Sequence, residues 1–117
     1  MKAVPDGWGL RWASRELTDA AGELWPAGTD DREVERILAQ AIRVAACVAL
    51  GLAAGREEAE EKLSEARGAA AALAARVHLA VSRGAVSEEA GLAIRKKVRV
   101  LVDEVDLRRY RMRRRAG

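Results

Sequence analysis

Apolar residues recur along most of this chain at alternating steps of three and four, the interval at which side chains return to one face of an α-helix. The longest such run lies between Asp30 and Gly55, DDREVERILAQAIRVAACVALGLAAG. There Val34, Leu38, Ala41, Ala45, Val48 and Leu52 form a seam with the a/d rhythm of helices packed nearly parallel. Ile37, Ile42, Val44 and Ala49 widen the stripe, so more than one neighbour is expected against it. Asp30 is the expected N-cap, and Glu33 stands three residues on to complete a capping box. Gly55 occupies the place where a helix C-terminus favours a residue tolerant of positive φ.

Three further segments carry the same rhythm. From Trp8 to Trp25 the positions Leu10, Ala13, Leu17, Ala20 and Leu24 predict a first helix, weakened slightly by Gly22 and followed by a connection through Pro26, Gly28 and Thr29. Residues 1–7, with Pro5 and Gly7, read as a lead-in. From about Glu57 to Arg83 the stripe is Ala59, Leu63, Ala66, Ala70, Leu73, Val77 and Ala80. Glu57, Glu58, Glu60 and Glu61 crowd its first turns, where the helix dipole favours negative charge, and Arg83 and Gly84 end it. Ser87 is the next candidate N-cap, ahead of a fourth stripe of Ala90, Ile94, Val98, Leu101 and Val105, flanked by Leu92, Val102 and Leu107.

The pattern therefore predicts one all-α domain over residues 1–117, an antiparallel up-down four-helix bundle with helices at about 8–25, 30–54, 57–83 and 87–112 and a basic C-terminal tail at 108–117. The short first helix leaves neighbouring stripes partly uncovered, a candidate subunit interface. Gly51 and Gly55 either form a small-xxx-small pair that admits another helix or are a helix-end glycine and one tolerated in the interior.

Composition narrows the picture. Half of the 117 residues are apolar and a third are charged, as in a globular chain, but the apolar half is largely Ala and contains no Phe. An Ala-rich core gains less per residue than a Leu-rich one, so subunit contacts are expected to contribute. The single Cys47 excludes an internal disulfide. The N-terminus MKAVPDGWG has no signal-peptide apolar region, and the longest apolar run, Val44 to Gly55, is bounded by Arg43 and Arg56 and falls short of a span. The expectation is a cytoplasmic protein with no membrane association.

Charge is distributed unevenly. Residues 1–87 hold 11 Lys and Arg against 13 Asp and Glu, whereas residues 88–117 hold 10 against 5. The end of the chain, RRYRMRRR, places six Arg in eight residues. The candidate nucleic-acid-binding residues are Arg95, Lys96, Lys97 and Arg99, flanking the fourth stripe, and Arg108, Arg109, Tyr110, Arg111, Arg113, Arg114 and Arg115. An arginine guanidinium pairs with phosphate as a planar fork, which suits backbone contact without base readout. Tyr110 is placed to stack on a base, a contribution of roughly 1–3 kcal/mol in known cases. The alternative for each basic residue is a solvated helix face, salt-bridged to Asp103, Glu104 or Asp106.

Catalytic chemistry finds little to work with. Nucleophilic catalysis needs a nucleophile, a base and a group that orients the base. The one histidine, His78, lies beside the third stripe and reads as a partly buried helix residue, and Cys47 beside Val48 reads as a small buried hydrophobe. One His and one Cys do not make a typical zinc site. GLAAGRE lacks the Gly-Lys-Ser/Thr ending of a phosphate loop, and the Glu cluster has no His at the spacing of a di-iron bundle. No enzyme activity, metal or cofactor is expected.

The segment AIRVAACVALGLAAG resembles the second helix of the four-helix-bundle proteins encoded in intervening sequences of bacterial 23S ribosomal RNA genes. Their pattern, Ile-Arg-x-Ala-Ala followed by Ile-x-x-Asn-Ile-Ala-Glu-Gly, is met by Ile42, Arg43, Ala45, Ala46, Val48, Leu52, Ala53 and Gly55, with Gly51 and Ala54 departing at the Asn and Glu positions. HLAVSRGAVSEE is similar to the family's turn into its fourth helix, through Leu79, Ala80, Gly84, Val86, Ser87, Glu88 and Glu89. Trp12, Glu16 and Leu17 resemble the opening of its first helix, and Leu24-Trp25-Pro26 the close, although that helix is about a turn short here. The family includes the accessory variability protein of diversity-generating retroelements, a positively charged pentameric barrel that binds nucleic acid and a reverse transcriptase. The resemblance thus implies a ring-like homo-oligomer, a pentamer, with RNA or DNA and a reverse transcriptase as partners. The alternatives are a protein-interaction bundle whose Arg tail docks an acidic partner, or an intervening-sequence protein of unknown activity.

Overall fold

The computed structural model describes residues 7–24 and 31–116, and among them it contains four helices and no strand: α1 (Trp8–Gly22), α2 (Asp31–Ala53), α3 (Arg56–Ser82) and α4 (Glu88–Ala116). They form a four-helix bundle in which each helix packs on its neighbours in sequence and α1 closes the ring on α4. The Asp30 cap, the Pro26–Gly28–Thr29 connection, Trp25 and the lead-in before Gly7 lie outside the described residues.

The helix ends follow local chemistry. Ser87 caps α4, its hydroxyl accepting the backbone N–H of Ala90 at 3.1 Å. α3 ends in a Schellman turn: the N–H of Ala85 donates to the Ala80 carbonyl at 2.9 Å and that of Gly84 to Val81 at 3.0 Å, with Gly84 at φ 77°. Gly55 behaves otherwise than expected. Its φ of −66° and ψ of 166° are extended, because α3 restarts at once and Gly55 serves as its N-terminal flank rather than as a left-handed cap for α2. Similarly, α1 ends at Gly22, three residues before the expected Trp25, with Glu23 and Leu24 in a turn.

The seven expected core positions of α3 are all buried, as are Ile94, Val98, Leu101 and Val105 of α4. In α2 the buried seam is displaced. Val34, Ile37, Ala41, Val44 and Val48 are buried, whereas Leu38, Ala45 and Leu52 are only partly covered. Ile37 and Val44 were expected at the flank, yet both are fully buried, and Ile42 and Ala49 are exposed. The reason is the size of the neighbours. α3 is the longer helix and packs more extensively on α2 than α1 does, so the stripe turns toward it. In α1, Ala21 is buried more deeply than Ala20, and Leu92 and Leu107 of α4 face outward.

Close approach is allowed by small residues. A Cβ on Gly51 would stand 2.9 Å from Leu63 Cδ2, whereas nothing lies within 4 Å of one on Gly55. Gly51 therefore admits α3 within the same chain, and the two glycines do not act as a pair. A Cβ on Gly91 would collide with the Val81 side chain at the α3–α4 contact. Counted as a helix rather than as an uninterrupted apolar run, Arg32–Ala53 of α2 is long and apolar enough to cross a membrane by length and composition, and about a third of its most apolar part is buried in the bundle. The core helix of a bundle has the same composition.

Candidate nucleic-acid interface

The basic residues of the C-terminal segment all lie on α4, which continues as regular helix through Arg115 to Ala116. Of the two courses open to it beyond about residue 112, fraying or running on through the arginines, the helix takes the second. Two features carry it on. Met112 is partly buried against the core, and the arginines of the last turn sit where the helix dipole favours positive charge.

A helix spreads consecutive residues around its axis, so the six arginines do not form one strip. On the flank toward α3, Glu60 Oε1 accepts Arg109 Nε at 3.0 Å and Arg113 Nη2 at 2.6 Å. A second tie lies further along: Arg67 donates from Nε to Asp106 Oδ1 at 3.0 Å. Burial favours the neutral form of Glu60, but the hydrogen bonds and charges of Arg113 and Arg109 outweigh it and hold the carboxyl below its usual range. On the flank toward α1, Lys97 Nζ donates to Glu16 Oε2 at 2.8 Å. Arg108 is partly buried and, with Met112 and Arg115, lines a cleft against Gly51, Ala54, Arg56 and Ala59.

The outward ridge is different. Lys96, Arg99, Asp103, Leu107, Tyr110 and Arg114 recur at steps of three and four and are all exposed, with Arg111 beside them. Arg95, Lys96, Arg99 and Arg111 are exposed and make no ion pair with any described residue. Arg114 has no carboxylate partner among the described residues either. Its Nη1 donates to the Tyr110 hydroxyl at 3.2 Å and its guanidinium lies 5.9 Å from the ring centroid, which fixes Tyr110 beside a cation with 56% of its surface exposed.

Nine of the eleven candidate residues fall into two groups, and the other two, Arg108 and Arg115, line the cleft with Met112. Lys97, Arg109 and Arg113 are engaged by carboxylates of other helices, whereas Arg95, Lys96, Arg99, Tyr110, Arg111 and Arg114 face solvent. The engaging carboxylates are Glu16 and Glu60 rather than Asp103, Glu104 or Asp106. Local spacing readily pairs residues on one helix, but Glu60 is 49 positions from Arg109 and its role depends on how α3 meets α4. The exposed pair Trp8 and Trp12 is a further surface feature, of which the sequence marked Trp12 only as part of a motif and Trp8 only as a helix start.

The two candidate reactive groups are placed apart. Cys47 is buried as expected, its Sγ 4.0 Å from Glu65 Oε2. His78 is exposed, against the expectation of partial burial, because it lies a step off the Leu73–Val77–Ala80 stripe on a groove shared with Val81, Glu88, Gly91 and Arg95. No group of three or more metal-ligating side chains occurs among the described residues. Compared with protein-family models, curated proteins and solved structures, the chain matches none.

Proposed function

We propose that this chain is a non-enzymatic, nucleic-acid-binding accessory protein that holds RNA or DNA by its phosphates and partners a retroelement reverse transcriptase. The observation that carries this reading is the outward ridge of α4, a rigid row of Lys96, Arg99, Arg111 and Arg114 with no carboxylate engaged and a tyrosine ring held beside it. Helical order fixes the spacing of these charges before a ligand arrives, which lowers the entropy cost of binding. The reverse transcriptase and a pentameric ring come from the family resemblance alone.

The proposal includes an antiparallel up-and-down course for the four helices. It is supported by the order of their contacts: Glu33 meets Arg76, Gln40 meets Ala69 and Gly51 approaches Leu63, so partner numbers fall as α2 advances. It also includes self-assembly, supported by apolar side chains that face outward, Ile42 and Leu50 on α2 and Leu79 on α3.

A second reading has one observation in its favour. Arg109 and Arg113 already hold a carboxylate, so the same helix is chemically suited to an acidic protein partner. Fluorescence-anisotropy titration of structured RNA, a matched DNA duplex and polyglutamate separates the two. The proposal expects both nucleic acids to bind well ahead of polyglutamate at equal ionic strength. Equal or preferred binding of polyglutamate overturns it in favour of an acidic protein partner.

A further inference from the structure

We infer that the basic helix is divided between two jobs, with Glu60 tying Arg109 and Arg113 into the bundle while the polyanion meets the outward ridge of Lys96, Arg99, Arg111 and Arg114. The inference rests on the nucleic-acid reading proposed above and names the part of α4 that performs it.

The geometry of the two groups carries the argument. Arg109 has a side chain only 21% exposed, against 65% for Arg113, and it reaches the same Glu60 oxygen from one helical turn earlier. A phosphate that uses Arg109 competes with a carboxylate already paired to it, and one that approaches the more exposed Arg113 meets the negative charge of Glu60 beside it. Arg111 and Arg114 face no such competition. They point away from the Glu60 contact, Arg111 two residues from each of the tied pair and Arg114 one residue beyond Arg113. From Lys96 to Arg114 the ridge is about 27 Å long at helical rise. Asp103 interrupts it and separates one cationic cluster at Lys96 and Arg99 from a second at Arg111 and Arg114. Glu60 thus removes two arginines from the binding face.

Two double variants test the division, since both remove the same charge. Net charge alone predicts equal losses for R111Q/R114Q and R109Q/R113Q. The inference predicts that R111Q/R114Q lowers affinity for a structured RNA at least tenfold and flattens the log–log salt dependence by about two, one for each phosphate that is no longer neutralised. R109Q/R113Q leaves that slope within one of wild type and instead lowers the thermal midpoint. Glu60→Gln frees two arginines, so it steepens the salt dependence and tightens binding. Equal losses in the two double variants, or weaker binding by Glu60→Gln, overturn the division while leaving the nucleic-acid reading intact. Failure of the wild-type chain to bind the RNA at low salt overturns that reading itself, and the division falls with it.

Discussion

Single residues set how closely the helices approach. Gly51 is buried where a Cβ would crowd Leu63, whereas nothing lies within 4 Å of a Cβ on exposed Gly68. Opposite outcomes are expected from filling the two sites. Gly51→Leu inserts side-chain volume into a closed contact and is expected to destabilise by about 1–3 kcal/mol. Gly68→Ala gains helix propensity and is expected to stabilise by up to about 1 kcal/mol. Chemical denaturation of the two variants checks both signs. At this scale much was legible in advance: the Ser87 cap, the Gly84 stop and the Cys47 burial follow from residue type and spacing. His78 was misplaced because a histidine one step off a stripe is turned out or in by the neighbouring helix, which the local spacing does not encode.

At the level of elements, the heptad stripes of α3 and α4 were readable because their core positions are few and regularly spaced. α2 was not read correctly in detail. Nearly every position from Ala41 to Ala54 is small or apolar, so the pattern supports more than one seam, and the packing of α3 selects the one through Ile37 and Val44. The continuation of α4 was left open between running on and fraying, since RRYRMRRR in isolation repels itself. Glu60, on another helix, relieves part of that repulsion. Because its carboxyl is held below the usual range when folded, the clamp stabilises the folded chain at neutral pH and is lost as pH falls through the lowered value. Circular dichroism is therefore expected to show wild-type helicity or thermal stability declining as pH is taken below about 4.3, the ordinary glutamate value. In Glu60→Gln that part of the acid transition is absent. An unchanged acid transition in the variant contradicts the clamp.

For the molecule as a whole, the described residues leave large apolar side chains on the outside: Ile42, Leu50 and Leu79, each more than half exposed, and the Trp8–Trp12 pair. On an Ala-rich bundle this is the surface from which an assembly would draw stability. The double variant Ile42→Glu/Leu50→Glu is expected to lower the mass measured by analytical ultracentrifugation to that of a smaller species while keeping helical content. An unchanged mass removes α2's outer face from the proposed interface. The candidate binding face was half legible at this scale. Charge counting located it in the last thirty residues, but the bundle decides which cations remain available, and that depends on carboxylates on α1 and α3.

The central claim is that phosphates are met by the ridge of α4, and it is tested most directly by the salt dependence of RNA binding for the wild-type chain beside a chain ending at Leu107. The account predicts tight binding at low salt, a linear fall of log affinity with log salt, and loss of most of the affinity and a shallower slope on truncation. Binding that is insensitive to salt, or that survives truncation with the same slope, contradicts it.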